Sequence, residues 1–163
     1  ELETVKNATL QLKVMDFNGK VLSNKTVKGE VPANASVVYC KEEYASLATD
    51  PNNTLLLMTL KNQKGQVLSE EIYYFKYPKE QNLPKAQIRY KVKQQDGKCE
   101  ITLSTKQLAR DIFIEIPIQG ARYTDNFFDL LPGQTKKITI TSDQIKKAEP
   151  VEFKIRHLKG ITK

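Results

Sequence analysis

Apolar and polar residues alternate in short runs along most of the chain, which is the pattern of half-buried β-strands. In Thr9–Phe17 the apolar residues Leu10, Leu12 and Val14 alternate onto one face, and Asn18-Gly19 then supplies a two-residue turn signal before Val21–Val27. These features predict a β-hairpin. The denser apolar run Thr54–Lys61 predicts a strand that is buried on both faces.

The same pattern continues through the rest of the chain with turn residues between the runs. It predicts strands at Ser36–Cys40, Val67–Tyr77, Ile88–Val92, Cys99–Leu103, Asp111–Ile118 and Val151–Leu158, and short helical turns at Lys41–Leu47 and Ser142–Ala148. The stretch Tyr123–Thr141 combines a polar turn, an apolar block, a Pro132-Gly133 corner and an alternating strand. We interpret its apolar block as core: Phe127, Phe128, Leu130 and Leu131.

A polar segment bracketed by prolines, Pro78–Pro84, interrupts the pattern near the middle. Proline cannot continue a central ladder, so this composition indicates a short semi-rigid linker. It predicts two domains, residues 1–80 and 81–163, each with about five to seven short strands. The expected fold class is therefore all-β, with two tandem immunoglobulin-like antiparallel β-sandwiches.

Composition and charge exclude several classes of protein. A 39% hydrophobic share with 28% charged residues is typical of a globular chain, and no apolar run approaches the ~18 residues of a membrane helix. The net charge of +7 suggests a nucleic-acid partner, but lysines such as Lys91, Lys93 and Lys137 are dispersed along predicted strands. We expect solvated strand faces, no nucleic acid and no membrane. The chain begins at Glu1 without a signal peptide, so we expect a piece of a longer protein.

The chain offers little reactive chemistry. Cys40 and Cys99 have the separation of an immunoglobulin disulfide, but no Trp is present to pack on it, and we expect two free thiols. Two distant cysteines and the single His157 do not make a metal site. Adjacent glutamates on a strand point to opposite faces and cannot flank one substrate bond. We therefore expect no catalytic residue, no metal and no cofactor.

The block Tyr123–Gly133 and the strand Lys137–Ile140 resemble the C-terminal immunoglobulin-like domain of glycoside hydrolase family 2 β-mannosidases. The linker and the runs Leu108–Phe113 and Val151–Ile155 resemble the same domain. The runs 16–22 and 31–36 resemble the domain that precedes it. Related exo-β-glucosaminidases carry a similar block.

This resemblance implies a retaining exo-β-mannosidase whose two catalytic glutamates lie in an upstream (β/α)8 barrel that the chain does not contain. The chain would then be an inactive accessory fragment that braces the barrel, its expected partner. It also implies a role in carbohydrate metabolism. The compartment cannot be inferred from the fragment, but the resemblance implies a periplasmic or secreted parent enzyme.

Two other interpretations remain open. A carbohydrate-binding module attached to a glycoside hydrolase would need an exposed row of aromatic residues, for which Tyr39, Tyr44 and Tyr123 are the nearest candidates. Alternatively, a binding loop formed by Tyr123, Asp125 and Asn126 reaches toward the active site of the parent enzyme. A plain corner turn capped by Asp125 is the simpler explanation of that loop.

Overall fold

The computed structural model describes residues 3–162 and is built almost entirely of antiparallel β-strands. It divides into two compact units. The first comprises Glu1–Asp16 and Lys20–Asn82, and the second comprises Phe17–Gly19 and Leu83–Lys163. No helix within residues 3–162 is long and apolar enough to cross a membrane.

The first unit contains one four-stranded sheet with the order β2-β1-β3-β4. Its elements are β1 (Val5–Asp16), β2 (Val21–Val31), α1 (Tyr44–Leu47), β3 (Thr54–Lys61), β4 (Val67–Tyr74) and a 3-10 turn at Pro78–Glu80. The predicted hairpin is confirmed, and its turn residue Gly19 has the positive φ of +91° that such turns require. The strand predicted at Thr54–Lys61 has the same bounds in the structure, and Leu55, Leu56 and Leu57 are all buried.

The connection from β2 to β3 lies over one face of this sheet. Cys40 and Leu47 pack against a core cluster that includes Leu12, Val14 and Phe75. The connection contains α1, which confirms the predicted helical turn, and Tyr44 Oη donates a hydrogen bond of 3.1 Å to the carbonyl oxygen of Phe75. In the described part of this unit, side chains of the connection therefore cover the core.

The predicted strand at Ser36–Cys40 is wrong, because this segment forms no ladder with its neighbours. Val37 and Val38, whose alternation suggested a strand, are 51% and 75% exposed. Pro32 interrupts the chain after β2, and Asn34, with a φ of +54°, lies in a turn just before this segment. The described part of this unit consequently has four strands instead of five to seven.

The second unit is a sandwich of two sheets, with the orders β5-β6-β10-β8 and β12-β11-β7-β9. Its strands are β5 (Ile88–Gln95), β6 (Lys98–Thr105), β7 (Ala109–Glu115), β8 (Arg122–Tyr123), β9 (Phe128–Leu130), β10 (Thr135–Thr141), β11 (Lys154–His157) and β12 (Gly160–Thr162). Alternate residues of both sheets form one core; fully buried members include Ile101, Ile112, Ile138, Ile140 and Ile155. This unit has eight strands in its described part, more than predicted.

The helical turn predicted at Ser142–Ala148 is also wrong. The backbone of this segment hydrogen-bonds to the turn after β5 instead: Gly97 N donates to Ile145 O at 2.8 Å, and Ser142 N donates to Gly97 O at 3.2 Å. Ile145 is fully buried and anchors the segment. Within the segment, Ile145 N donates to Ser142 O at 3.0 Å and Glu149 N donates to Lys146 O at 3.2 Å, so two separate turns form where one helical turn was predicted.

Both cysteines are free, as predicted. Cys40 is half-buried in the first unit, whereas Cys99 is completely buried in the second. Burial raises the pKa of the Cys99 thiol, which therefore behaves as a small apolar core residue.

Candidate functional site

The most distinctive stretch of the sequence folds into the short strands β8 and β9 and the loop between them. Tyr123 pairs with Ile140 in β10 and its ring is half-buried. Burial raises the pKa of its hydroxyl, which also interacts with the backbone of Ile116. Thr124 continues the contact with β10, since its backbone N donates to Thr139 O and its Oγ1 accepts from Thr139 N.

The side chain of Asn126 hydrogen-bonds to the backbone of β7 in the way a neighbouring strand would. Its Nδ2 donates to Ile114 O at 3.0 Å, and its Oδ1 accepts from Ile114 N at 2.8 Å. A side-chain amide carries one donor and one acceptor group side by side, so it can pair with both backbone groups of one residue. Asn126 therefore holds the loop to the edge of β7.

Asp125 is exposed and forms an ion pair with Lys136. The Lys136 ammonium group also lies 4.2 Å from the centre of the Phe128 ring, a cation-π contact. Asp129 accepts a hydrogen bond of 2.8 Å from the backbone N of Asp111. The polar groups of the loop are thus engaged in contacts that hold its own conformation.

Phe127 corrects one sequence prediction. It was expected in the core, but its side chain is 71% exposed and its backbone φ is +63°. Its ring stacks on that of Phe113 with centroids 4.6 Å apart, while its backbone N donates to Ile112 O at 2.9 Å. Phe128, Leu130 and Leu131 are buried, as predicted.

The three tyrosines considered for a sugar-binding row belong to different units. Tyr39 and Tyr44 lie in the first, and Tyr123 lies in the second. Tyr39 packs on Gly29, and its buried Oη has no hydrogen-bond partner among the described atoms. Burial raises the pKa of that hydroxyl. The structure therefore does not bring these residues together on one exposed strip of either unit.

A cleft of about 500 Å³ opens in the second unit between β5 and the segment that leads into β11. We call it the Tyr90 cleft. It is lined by Tyr90, Glu115, Ile116, Pro117, Val151, Glu152, Phe153 and Lys154. The rings of Tyr90 and Phe153 meet edge to face with centroids 5.1 Å apart. The cleft thus offers aromatic walls and carboxylate acceptors within one concave surface.

One side chain fixes the wall of this cleft. Gln94, at the end of β5, donates from Nε2 to the carbonyl oxygens of Lys146 and Glu149 at 2.6 Å each. Its Oε1 accepts from Val151 N at 3.1 Å. Three hydrogen bonds from one amide hold the segment that carries Phe153. On another side of the cleft, Glu115 Oε2 lies 3.0 Å from Arg156 Nη2.

Sequence reasoning missed the Tyr90 cleft because its two aromatic residues are 63 positions apart, at Tyr90 and Phe153. The sequence carries only a local signal, the alternation of Ile88, Tyr90 and Val92 with polar residues. Tyr90 and Val92 share the inward-pointing alternation of the buried Ile88, yet they are 38% and 39% exposed. Apolar residues left open on a core-facing side are typical of a cleft wall.

The single histidine, His157, lies at the end of β11 in the sheet β12-β11-β7-β9. Burial lowers the pKa of His157, and its ring contacts the backbone of Ala86 and lies over Gly160. Within the described residues, no group of three His, Cys, Asp or Glu side chains is arranged to hold a metal ion.

Comparison with protein families matches both halves of the chain. Residues 1–80 match the profile of the mannosidase Ig/CBM-like domain, and residues 83–161 match the profile of an Ig-fold domain of mannosidases. No curated protein sequence matches the chain significantly.

Solved structures with the same fold are much longer than this chain. The β-D-mannosidase of Dictyoglomus thermophilum is similar with a TM-score of 0.70 and 22% identity, over 96% of this chain and 19% of that one. The exo-chitosanase of Amycolatopsis orientalis is similar with a TM-score of 0.66 and 15% identity, over 98% of this chain and 24% of that one. The chain spans about a fifth to a quarter of their lengths, and at these identities the likeness shows the fold.

Proposed function

Because the two halves of this chain belong to the immunoglobulin-like domain families of family 2 mannosidases, we propose that the chain is the non-catalytic C-terminal part of a retaining exo-β-mannosidase. In that enzyme it would brace an upstream catalytic barrel. The proposed domains are residues 1–80 and 81–163. The observation that carries the proposal is that two mannosidase domain families in tandem account for nearly the whole chain.

The carboxylates of the second unit support a non-catalytic role. Glycoside hydrolysis needs one carboxylic acid that keeps its proton and a second carboxylate at a fixed distance across the substrate. Four acidic side chains of this unit instead form ion pairs with lysine or arginine: Glu100, Glu115, Asp125 and Asp129.

A direct assay tests the absence of catalysis. The 163-residue chain is incubated with an aryl β-mannoside, and release of the aryl alcohol is followed by absorbance. We expect no turnover above the blank. Turnover well above it, retained through a further purification step, would contradict the proposal.

The bracing role is tested in the full-length parent enzyme. Ile101→Ala opens a cavity in the core of the second unit and should destabilise that unit by about 2–5 kcal/mol. If the unit braces the barrel, activity should be lost at a lower temperature, while kcat/KM of the folded enzyme stays unchanged. An unchanged inactivation temperature, with the second unit shown to be destabilised, would refute the bracing role.

A second candidate function is carbohydrate binding, and the Tyr90 cleft favours it. Sugar rings have apolar faces that pack on aromatic side chains and hydroxyl groups that donate to carboxylates. Tyr90, Phe153 and Glu152 supply both kinds of contact in one cleft. Its volume lies within the range of small-molecule sites.

Titration calorimetry with manno-oligosaccharides tests this function. Binding that is lost in Phe153→Ala and kept in Tyr77→Ala, a substitution of an exposed tyrosine of the first unit, would support it. Equal binding by both variants would place the sugar elsewhere, and no heat with the unmodified chain would exclude it.

The loop of Tyr123, Asp125 and Asn126 remains a proposed contact with the active site of the parent enzyme. Its exposed members are Asp125 and the neighbouring Phe127. Asp125→Ala in the parent enzyme should raise KM if the loop touches substrate. Unchanged kinetics would leave the loop a purely structural corner.

A further inference from the structure

The outer face of the sheet β5-β6-β10-β8 is strongly cationic. Strand pairing places residues of like parity on one side: Lys91 lies opposite Thr102, and Thr102 lies opposite Lys137. The inner side of the same strands carries buried residues such as Ile101 and Ile138. The outer side carries Arg89, Lys91, Lys93, Lys98, Arg122 and Lys137. We call this surface the cationic face.

Negative charge on the cationic face is sparse. Glu100 is the one carboxylate that the described strand register places on it, and Lys98 Nζ lies 2.7 Å from Glu100 Oε1. Lys137 Nζ approaches the same oxygen at 3.7 Å. Lys98 and Lys137 hold the pKa of Glu100 below its usual value. One carboxylate shared by two lysines leaves the rest of the face positive.

A concavity continues the cationic face beyond Arg89. It has a volume of about 550 Å³, and its walls include Lys85, Arg89 and Lys106. None of its described lining residues is acidic. The face therefore ends in a basic depression with room for one charged group of a ligand and the ring that carries it.

The spacing of these cations fits a polymer with one charge per unit. Side chains two residues apart on a strand are about 7 Å apart, and those two strands apart are about 10 Å apart. Thr102 separates Lys91 from Lys137 across the strands and offers a hydroxyl group between them. Such an arrangement suits a chain of hydroxylated rings that carry one anionic group each.

The shape of the face disfavours nucleic acids and protein partners. A double helix is read by a helix or a two-stranded ribbon that enters a groove, and single strands stack on aromatic rings. This surface is a four-stranded sheet whose outward positions carry no aromatic or aliphatic side chain in its described part. Stable protein interfaces also need such apolar anchors.

We propose that the cationic face and its basic depression bind a uronic-acid polysaccharide, with sugar carboxylates paired to the lysine and arginine side chains. This inference does not depend on the identity of the parent enzyme. It differs from the Tyr90 cleft, which suits uncharged sugar rings. Because the cations repel one another in the free protein, the face adds little to fold stability, and an anionic ligand relieves that repulsion.

The test uses the whole 163-residue chain and an oligogalacturonate of about ten sugars, with affinity measured by calorimetry at several NaCl concentrations. Charge pairing predicts binding that weakens as salt is raised. Lys91→Glu with Lys137→Glu should weaken it by at least about tenfold. The control, Lys28→Glu with Lys64→Glu, changes the net charge equally on exposed positions of the first unit and should change affinity less than about twofold.

Folding of the variants is checked by their thermal midpoints. The Lys91→Glu, Lys137→Glu variant loses a repulsion between lysines but also loses the contact of Lys137 with Glu100, so its thermal midpoint should stay close to that of the unmodified chain. If it does not fold, the neutral pair Lys91→Gln, Lys137→Gln replaces it and should also weaken binding. Equal losses in the face and control variants would overturn the proposal. So would tighter binding of duplex DNA or of a heparin-derived oligosaccharide at the same salt.

Discussion

Asn126 provides the sharpest test of how the β8–β9 loop is built. Replacing it by alanine removes two hydrogen bonds to Ile114, of 2.8 and 3.0 Å, and leaves the N–H and C=O of Ile114 without those partners. A net loss of about 1 kcal/mol per bond, with part of the cost of an unsatisfied backbone group, gives about 2–3 kcal/mol. For a domain of about 80 residues this lowers the thermal midpoint by roughly 8–24 °C.

The measurement is urea unfolding of the unmodified chain and of Asn126→Ala, followed by circular dichroism. Hydrogen exchange at the amide of Ile114 supplies a local readout. That amide should exchange faster in the variant, even under conditions where the core amide of Ile101 stays protected. Local exchange separates the loss of this contact from general destabilisation.

Two neighbouring variants serve as controls. Asn126→Asp keeps an acceptor for Ile114 N but loses the donor to Ile114 O, so its stability should lie below that of the unmodified chain. Asp125→Ala removes only an exposed ion pair with Lys136 and should cost less than about 1 kcal/mol. If Asn126→Ala costs less than about 0.5 kcal/mol and Ile114 stays protected, the described role of the amide is wrong.

Three further outcomes are expected in the two units. Burial lowers the pKa of His157 in the folded state, so as the pH falls the unfolded chain binds a proton at a higher pH than the folded chain does. The free energy of unfolding should therefore fall as the pH drops below about 6.5 and level off below the folded pKa. His157→Gln should flatten this dependence in urea titrations, and an unchanged slope would assign it to other groups. A Cβ added at Gly160 would lie 2.9 Å from His157 Nε2. Gly160→Ala should therefore lower the free energy of unfolding by about 1 kcal/mol, which a lower thermal midpoint would show. Alkylation followed by mass spectrometry should label the half-buried Cys40 well before the buried Cys99, and equal rates would show that the core around Cys99 opens readily.

Much of the fold could be predicted from local pattern. The β1–β2 hairpin follows from alternation and an Asn-Gly turn, and β3 follows from a dense apolar run. Ser36–Cys40 has the same alternation but forms no strand, because a strand needs a neighbour to pair with. Pro32 and the positive φ of Asn34 direct this segment across the sheet instead. Pattern reports which residues suit a strand, and tertiary packing decides whether a partner is present.

The candidate sites were harder to predict because they depend on strand register. The dispersed lysines at Lys91, Lys93 and Lys137 suggested solvated faces with no common partner. Pairing of β5, β6 and β10 brings all three to one side, although up to 46 positions separate them in the sequence. Only the register shows that they converge, since a shift of one residue would move an entire strand to the other face.

Phe127 and the cationic face both lower the stability of the free protein, whereas the polar residues of the loop do not. Asn126 and Asp129 complete the hydrogen bonds of their own fold, so their presence is explained by stability alone. Phe127 instead exposes most of an aromatic ring from a backbone conformation that costs a non-glycine residue about 1 kcal/mol. The cationic face gathers like charges that repel one another. Features that lower stability and are only partly compensated by contacts within the fold are better explained by an external partner, and they direct the search for function away from the polar residues that first marked the loop.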